Sequence, residues 1–185
     1  MASMHLLVFI GAVAMSLNVT SAAADAAAKE VSVPAIATTI PRSVQAEHHE
    51  IHALLEEAMK APGQVGAAAR VLGKVLHPHF VREEEIALPP LGALASLSAG
   101  SLPPDAASIL SMTDALKREL PQMLAEHTRI RAAVDALRAA ARAERSAKHE
   151  RLADQLALHA QTEEEVLYPA AVLVGDVIRL RLGIR

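Results

Sequence analysis

The chain has 185 residues, the length of one domain, and 52% of them are apolar but only Phe9, Phe80 and Tyr168 are aromatic, so a core has to be built from Ala, Leu, Val and Ile, as in helix-rich bundles. The absence of cysteine excludes disulfides, zinc–thiolate and iron–sulfur sites and covalently attached c-type haem. A net charge of −3 with interspersed signs offers no basic face to nucleic acid, and there is no glycine-rich phosphate loop or dinucleotide fingerprint.

Taken in order, Leu6 to Leu17 has the length of a signal-peptide apolar region, and Ala22-Ala23-Ala24 before Asp25 is a cleavage pattern, so residues 1–24 read as a signal peptide. The expectation is export to the periplasm or the extracellular space; a cytoplasmic protein is the alternative, because the segment has no Lys or Arg before its apolar run. Membrane contact is expected only through this segment, and only if it stays uncleaved. Residues 25–40, rich in Ala, Thr and Val, read as a flexible leader, and 41–185 as the domain proper.

Pro41 suits the first turn of helix 1, where Val44, His48, Ile51 and Leu55 share one face and His49 points away; the helix ends near Pro62-Gly63. Helix 2 runs from about Gln64 to Leu88. Pro78 lies inside it and removes a hydrogen bond at a cost of ~3 kcal/mol, so it either kinks the helix beside His79 or separates two shorter helices. His77 falls on another face, exposed to solvent. Pro89 to Pro104 is a crossover whose Leu91, Leu94, Leu97 and Leu102 are expected to cover one end of the structure. Asp105 is placed to cap a short helix ending near Lys117. Pro121 starts helix 3, with Leu124, His127, Ile130, Val134 and Leu137 inward and its arginines outward. Ser146 caps helix 4, whose buried face carries Leu152, Gln155, Leu156, His159, Glu163, Val166 and Leu167. Tyr168, counted at α-helical pitch, lies opposite His159 and reads as packing. Ala170 to Leu182 reads as an extra C-terminal helix.

One pattern occurs twice. His79-Phe80-Val81-Arg82-Glu83-Glu84-Glu85-Ile86-Ala87-Leu88-Pro89 and His159-Ala160-Gln161-Thr162-Glu163-Glu164-Glu165-Val166-Leu167-Tyr168-Pro169 both read H-x-x-x-E-E-E-apolar-x-x-P. Each is preceded by E-H-x-x-I, at Glu47-His48 and at Glu126-His127. The intervals are 31 positions from His48 to His79 and 32 from His127 to His159, which marks two copies of one helical hairpin. Residues at i and i+4 sit one turn apart on a helix, so each H-x-x-x-E presents an imidazole beside a carboxylate. If the hairpins pack together, His48, His79, Glu83, His127, His159 and Glu163 meet in a low-dielectric core and need a cation. They divide into two sets of two histidines and one carboxylate, a ligand set suited to non-haem iron with open positions. Glu84, Glu85, Glu164 and Glu165 fall off that face, as solvated groups or supports to the ligands. His52, one turn from His48, is a candidate seventh ligand.

These motifs resemble the hemerythrin-like (HHE cation-binding) family over about Val44 to Pro169. The resemblance implies an all-α, up-down-up-down four-helix bundle holding two non-haem iron ions, oxo- or hydroxo-bridged, with His48, His79, Glu83, His127, His159 and Glu163 as metal ligands. It implies a small-molecule partner such as O2, NO or peroxide, and a role in binding or sensing it. An enzyme of the same fold, reducing nitric oxide or peroxide or oxidising iron, is the alternative; a bundle with only structural or adventitious metal is a second. Oxygen-carrying members have a further helix-3 histidine one turn before the first, and Met123 stands there instead.

Overall fold

A computed structural model describes residues 39–184, and among these every regular element is helical. The expected signal peptide and the leader as far as residue 38 lie outside the described residues. None of the described helices is long and apolar enough to cross a membrane.

Helix α1 spans Arg42–Lys60 and α2 spans Gly63–Ile86. The turn between them is short because Pro62 cannot continue a helix and Gly63 takes φ 76°, a conformation that glycine adopts without steric penalty. Pro78 lies inside an uninterrupted α2, which excludes two separate helices there. A 3-10 turn, Pro89–Ala93, and the short α3, Leu94–Ser98, form the crossover. Helix α4 then runs unbroken over Ala106–Ala143, and α5 over Ala147–Thr162. A π-helical turn, Glu163–Leu167, joins α5 directly to α6, Tyr168–Arg181. Helix α2 packs on α1 and α4, and α5 packs on the same two, so the four close a ring. Helix α6 extends along the first third of α4.

The expected boundary between a short helix and helix 3 at Pro121 is therefore absent. Pro121 is exposed, and its missing N–H is outweighed by the anchoring of this part of α4 on α6: Leu116 is buried, Arg179 Nη2 donates to both Asp114 oxygens at 2.9 and 2.8 Å, and Lys117 pairs with Asp176. Because the helix passes Pro121 in register, its inward face is Met123, His127, Ile130, Val134 and Leu137, and Leu124 is turned outward. In the crossover Leu91 and Leu97 are buried as expected, whereas Leu94 and Leu102 are exposed.

Apolar burial has two main layers. One is built on Ile51, Leu55, Leu72, Leu76, Val134, Leu137 and Leu156, the other on Ile86, Leu88, Leu91, Leu116, Met123 and Ala171. Each fully buried Leu or Ile contributes roughly 1.5–3 kcal/mol, and the four buried histidines lie between these layers. A third cluster, including Ile109, Val174 and Ile178, joins α4 to α6.

Gly175 marks how closely those last two helices approach. A Cβ there would lie 2.2 Å from Thr113 Oγ1 and 2.7 Å from its Cβ, and Thr113 is wholly buried with a stiff branched side chain. Gly175→Ala should therefore destabilise the protein by ~1–3 kcal/mol, read as a lower midpoint in chemical denaturation; an unchanged midpoint would show that α6 slides freely on α4.

Candidate metal centre

Six side chains converge on the bundle axis, one or two from each helix of the ring. His48 comes from α1, His79 and Glu83 from α2, His127 from α4, His159 from α5, and Glu163 from the first residue of the π turn. All six are at most 2% exposed. They form two groups whose donor atoms lie within metal-sharing distance: His79, Glu83, His127 and Glu163, and His48, His159 and Glu163.

Glu163 belongs to both groups. Its Oε1 faces His159 Nε2 at 3.0 Å and His48 Nε2 at 3.5 Å, and its Oε2 faces His127 Nε2 at 3.3 Å. Glu83 Oε1 lies 3.2 Å from His79 Nε2. Each group takes one histidine from either hairpin, so the sets cross between the two sequence repeats.

The other face of every imidazole is held by a carboxylate. His48 Nδ1 donates to Glu84 at 3.3 Å, His79 Nδ1 to Glu126 at 2.9 Å, His127 Nδ1 to Glu164 at 2.8 Å and His159 Nδ1 to Glu47 at 3.2 Å. These bonds place the proton on Nδ1 and leave the Nε2 lone pair aimed inward, the arrangement that a metal-binding histidine requires. An inward lone pair then confronts a carboxylate lone pair, and something positive has to lie between them. Accordingly His48 Nε2, His159 Nε2, Glu83 Oε2 and Glu163 Oε1 are buried without a hydrogen-bond partner. Buried polar atoms are seldom left so, and four of them within the two clustered groups fit a cation.

Without a metal the positive charge is supplied by protons. Burial opposes protonation of His79, but its hydrogen bond and charge interaction with Glu83, reinforced by Glu126 and Glu163, raise it from 6.5 to about 9. His159 is likewise raised to about 9, against burial, by Glu163, Glu83 and Glu47. The two carboxylates diverge: burial and the charge of Glu163 push Glu83 up, whereas Glu163, despite its burial, is held well below the usual carboxylate range by His127, His159 and His48.

Tyr168 corrects the expectation drawn from α-helical counting. Its hydroxyl is inside the site: it donates to Glu83 Oε1 and lies 3.2 Å from His127 Nε2 and 3.4 Å from His79 Nε2. Its ring stacks on His127. The cause is the π turn, whose extra residue per turn rotates everything after Glu163 by about one position, or roughly 100°. The Tyr168 N–H bonds to Glu163 O, and in the first copy Leu88 N–H bonds to Glu83 O at 2.9 Å, the same five-residue spacing. In both copies a proline comes next, Pro89 and Pro169, and its ring would clash with the carbonyl four residues back in a regular helix. The proline ending the repeated motif is thus a signal for this rotation. It also turns Val166 outward, against the expectation that it is buried.

Of the triplet glutamates expected to be solvated or to support the inward residues, Glu84 and Glu164 hold histidines, whereas Glu47 and Glu126, the first letters of E-H-x-x-I, hold histidines in a role that the sequence reading did not assign. Arg131 Nη1 also donates to Glu164 at 2.5 Å, and Gln122 Nε2 to Glu126 at 2.8 Å. Glu85 pairs instead with Arg82. His52 belongs to neither ligand group; it packs edge-on against Phe80 and His77, and burial and then His77 lower its pKa. Phe80 itself stacks on His48 with ring centres 4.3 Å apart. His49 and His77 are exposed. Beside His79 a cleft of ≈ 430 Å³ reaches in between α2 and α4, lined by Pro78, Arg82, Met123 and Glu126.

Residues 118–181 match the hemerythrin HHE cation-binding domain. The match covers α4 from Arg118 onward, α5, the π turn and α6, and thus His127, His159 and Glu163. No curated protein and no solved structure matches the chain. The first hairpin lies outside the hemerythrin match, yet it repeats its H-x-x-x-E-E-E pattern, its outer carboxylates and its proline-linked π bond. Within the matched residues Met123 is buried one turn before His127, in the apolar layer that also contains Tyr168.

The imidazolium–carboxylate contacts predict a pH dependence for the metal-free protein. His79 and His159 have folded-state pKa values above the unfolded value of 6.5, so their stabilisation is fully present below about pH 6.5 and is lost as pH rises through about 9. The melting temperature of chelator-treated protein should fall across that window, and a metal that replaces the protons should flatten the fall. A melting temperature that rises from pH 6.5 to 9 without metal would contradict the paired-histidine picture.

Proposed function

We propose that residues 41–185 form an up-down-up-down hemerythrin-like bundle that holds two non-haem iron ions in an oxygen-bridged pair and binds or senses dioxygen or a related small molecule such as nitric oxide or peroxide. The observation that carries this reading is Glu163, a buried carboxylate shared by two groups of inward-facing imidazole nitrogens. The residues fit the metal pair: four Nε2 lone pairs and two carboxylates meet, and four of these atoms have no other partner. His79, Glu83 and His127 would hold one ion, His48 and His159 the other, and Glu163 both. When bound, such a pair supplies reversible one-electron chemistry and exchangeable positions for a small ligand.

The chain's own contribution is orientation and exclusion. Glu47, Glu84, Glu126 and Glu164 hold the imidazole tautomers and make the inward nitrogens better donors; removal of such supports typically costs 10–100-fold in metal affinity. The apolar layers on either side keep bulk water from the donors. The group formed by His48, His159 and Glu163 has fewer protein donors than the other, so a metal held there would have more room for a small ligand, beside the ring of Phe80.

Metal content and colour test this reading. Protein purified after aerobic expression should contain iron and show a visible spectrum that changes with dithionite. His159→Ala should lose most of that iron. His149→Ala should keep it, because the His149 ring pairs with Ser146 Oγ at 2.7 Å, outside both ligand groups. Equal retention in the two variants would overturn the ligand assignment, and zinc alone would leave a structural site. Air or nitric oxide added to the reduced protein should alter the spectrum again; no response to either would remove small-molecule binding. Stripping the metal should also lower the melting temperature, since binding to the folded state alone stabilises it.

A further inference from the structure

We propose that Tyr168 is itself a metal ligand, a seventh protein donor that closes the His79–Glu83–His127 side of the centre. The inference rests on the metal-pair reading above and adds an oxygen donor from an unspecified position of the repeated pattern, just before its closing proline. Its geometric basis is the position of the hydroxyl among the other donors. The phenolic oxygen lies 3.2 Å from His127 Nε2 and 3.4 Å from His79 Nε2, and is bonded to Glu83 Oε1. Two donors each about 2.1 Å from one metal ion are about 3.0 Å apart when at right angles and about 3.4 Å apart at the tetrahedral angle. The phenolic oxygen thus stands at ligand-to-ligand spacing from both histidines. Behind it, the ring is held by stacking on His127 and by an apolar layer that leaves it 1% exposed.

Local structure supports the same role. A regular helix would turn Tyr168 away from the site, and only the π turn at Glu163 swings it inward. The first copy has the same five-residue bond but Leu88 at this position, so the second copy inserts an oxygen donor where the first has an alkyl chain. Phe80 supplies the converse asymmetry, matching Ala160 in the second copy and covering the His48–His159 group. One side of the centre is therefore completed by a hard oxygen donor, and the other remains open beneath an apolar ring. His52, which sequence spacing nominated as the extra ligand, lies in neither group. Coordination breaks the phenolic O–H bond and forms an oxygen–metal bond, with the proton leaving to solvent.

Iron is the probe. Full-length protein loaded with ferrous iron and oxidised in air should show a phenolate-to-iron(III) charge-transfer band, with tyrosinate ring modes enhanced in resonance Raman excited within that band. Tyr168 is the only tyrosine in the chain, so the modes identify it without a variant. Tyr168→Phe should bind the same iron content as the wild type and lose both the band and the modes. Wild-type protein that holds iron without tyrosinate modes would overturn the ligand role while leaving the metal-pair reading intact, and would reduce Tyr168 to a hydrogen-bond donor to Glu83. Wild-type protein that takes up no iron would overturn both. Because the wild-type spectrum is decisive alone, poor folding of the variant would not obscure the result.

Discussion

The structure depends on the placement of Glu163, a carboxylate buried on the bundle axis within 3.5 Å of three imidazoles. An isolated charge in such a place would cost several kcal/mol even after relaxation. It persists because positive charge, whether proton or metal, is available from three directions at once. Much of the surrounding architecture answers this requirement. The histidines have to present Nε2 inward, which requires an acceptor at each Nδ1. The acceptors have to come from neighbouring helices, which sets the rotation of all four about their axes.

That rotation is coupled to the chain's prolines. Pro89 and Pro169 each come six residues after an inward glutamate, Glu83 or Glu163, and each coincides with a five-residue backbone bond at that glutamate. In the first hairpin the helix then ends and the crossover begins; in the second it continues as α6. The same local device therefore terminates one helix and re-aims another. The difference lies in the residues beyond each proline: Pro90 and Gly92 lead into the crossover, whereas Ala170, Ala171 and Val174 resume a helix that packs on α4. Tyr168 reaches the site only because that resumed helix is in a new register.

The helical class, the repeat and the convergence of the six inward residues are legible in the sequence because duplication and i,i+4 spacing are properties of sequence order. The outer carboxylates are visible as letters of the same motifs, but their pairing is not, since Glu47 reaches His159 across the assembled bundle and no spacing rule spans that separation. Sequence alone divides helix α4 at Pro121 because a proline is most economically read as a beginning; the compensating contacts with α6 exist only in three dimensions. Tyr168 is misplaced by counting at 100° per residue, which presupposes an unbroken α-helix. The recurring proline is the warning against that assumption.

The crossing of the two candidate metal groups between hairpins bears on how the protein comes together. His48 shares a group with His159, and His79 shares one with His127, so a hairpin in isolation carries one imidazole of each group and completes neither. Neither hairpin can therefore assemble either group ahead of the other, so a metal held by these residues would be taken up only by the assembled bundle.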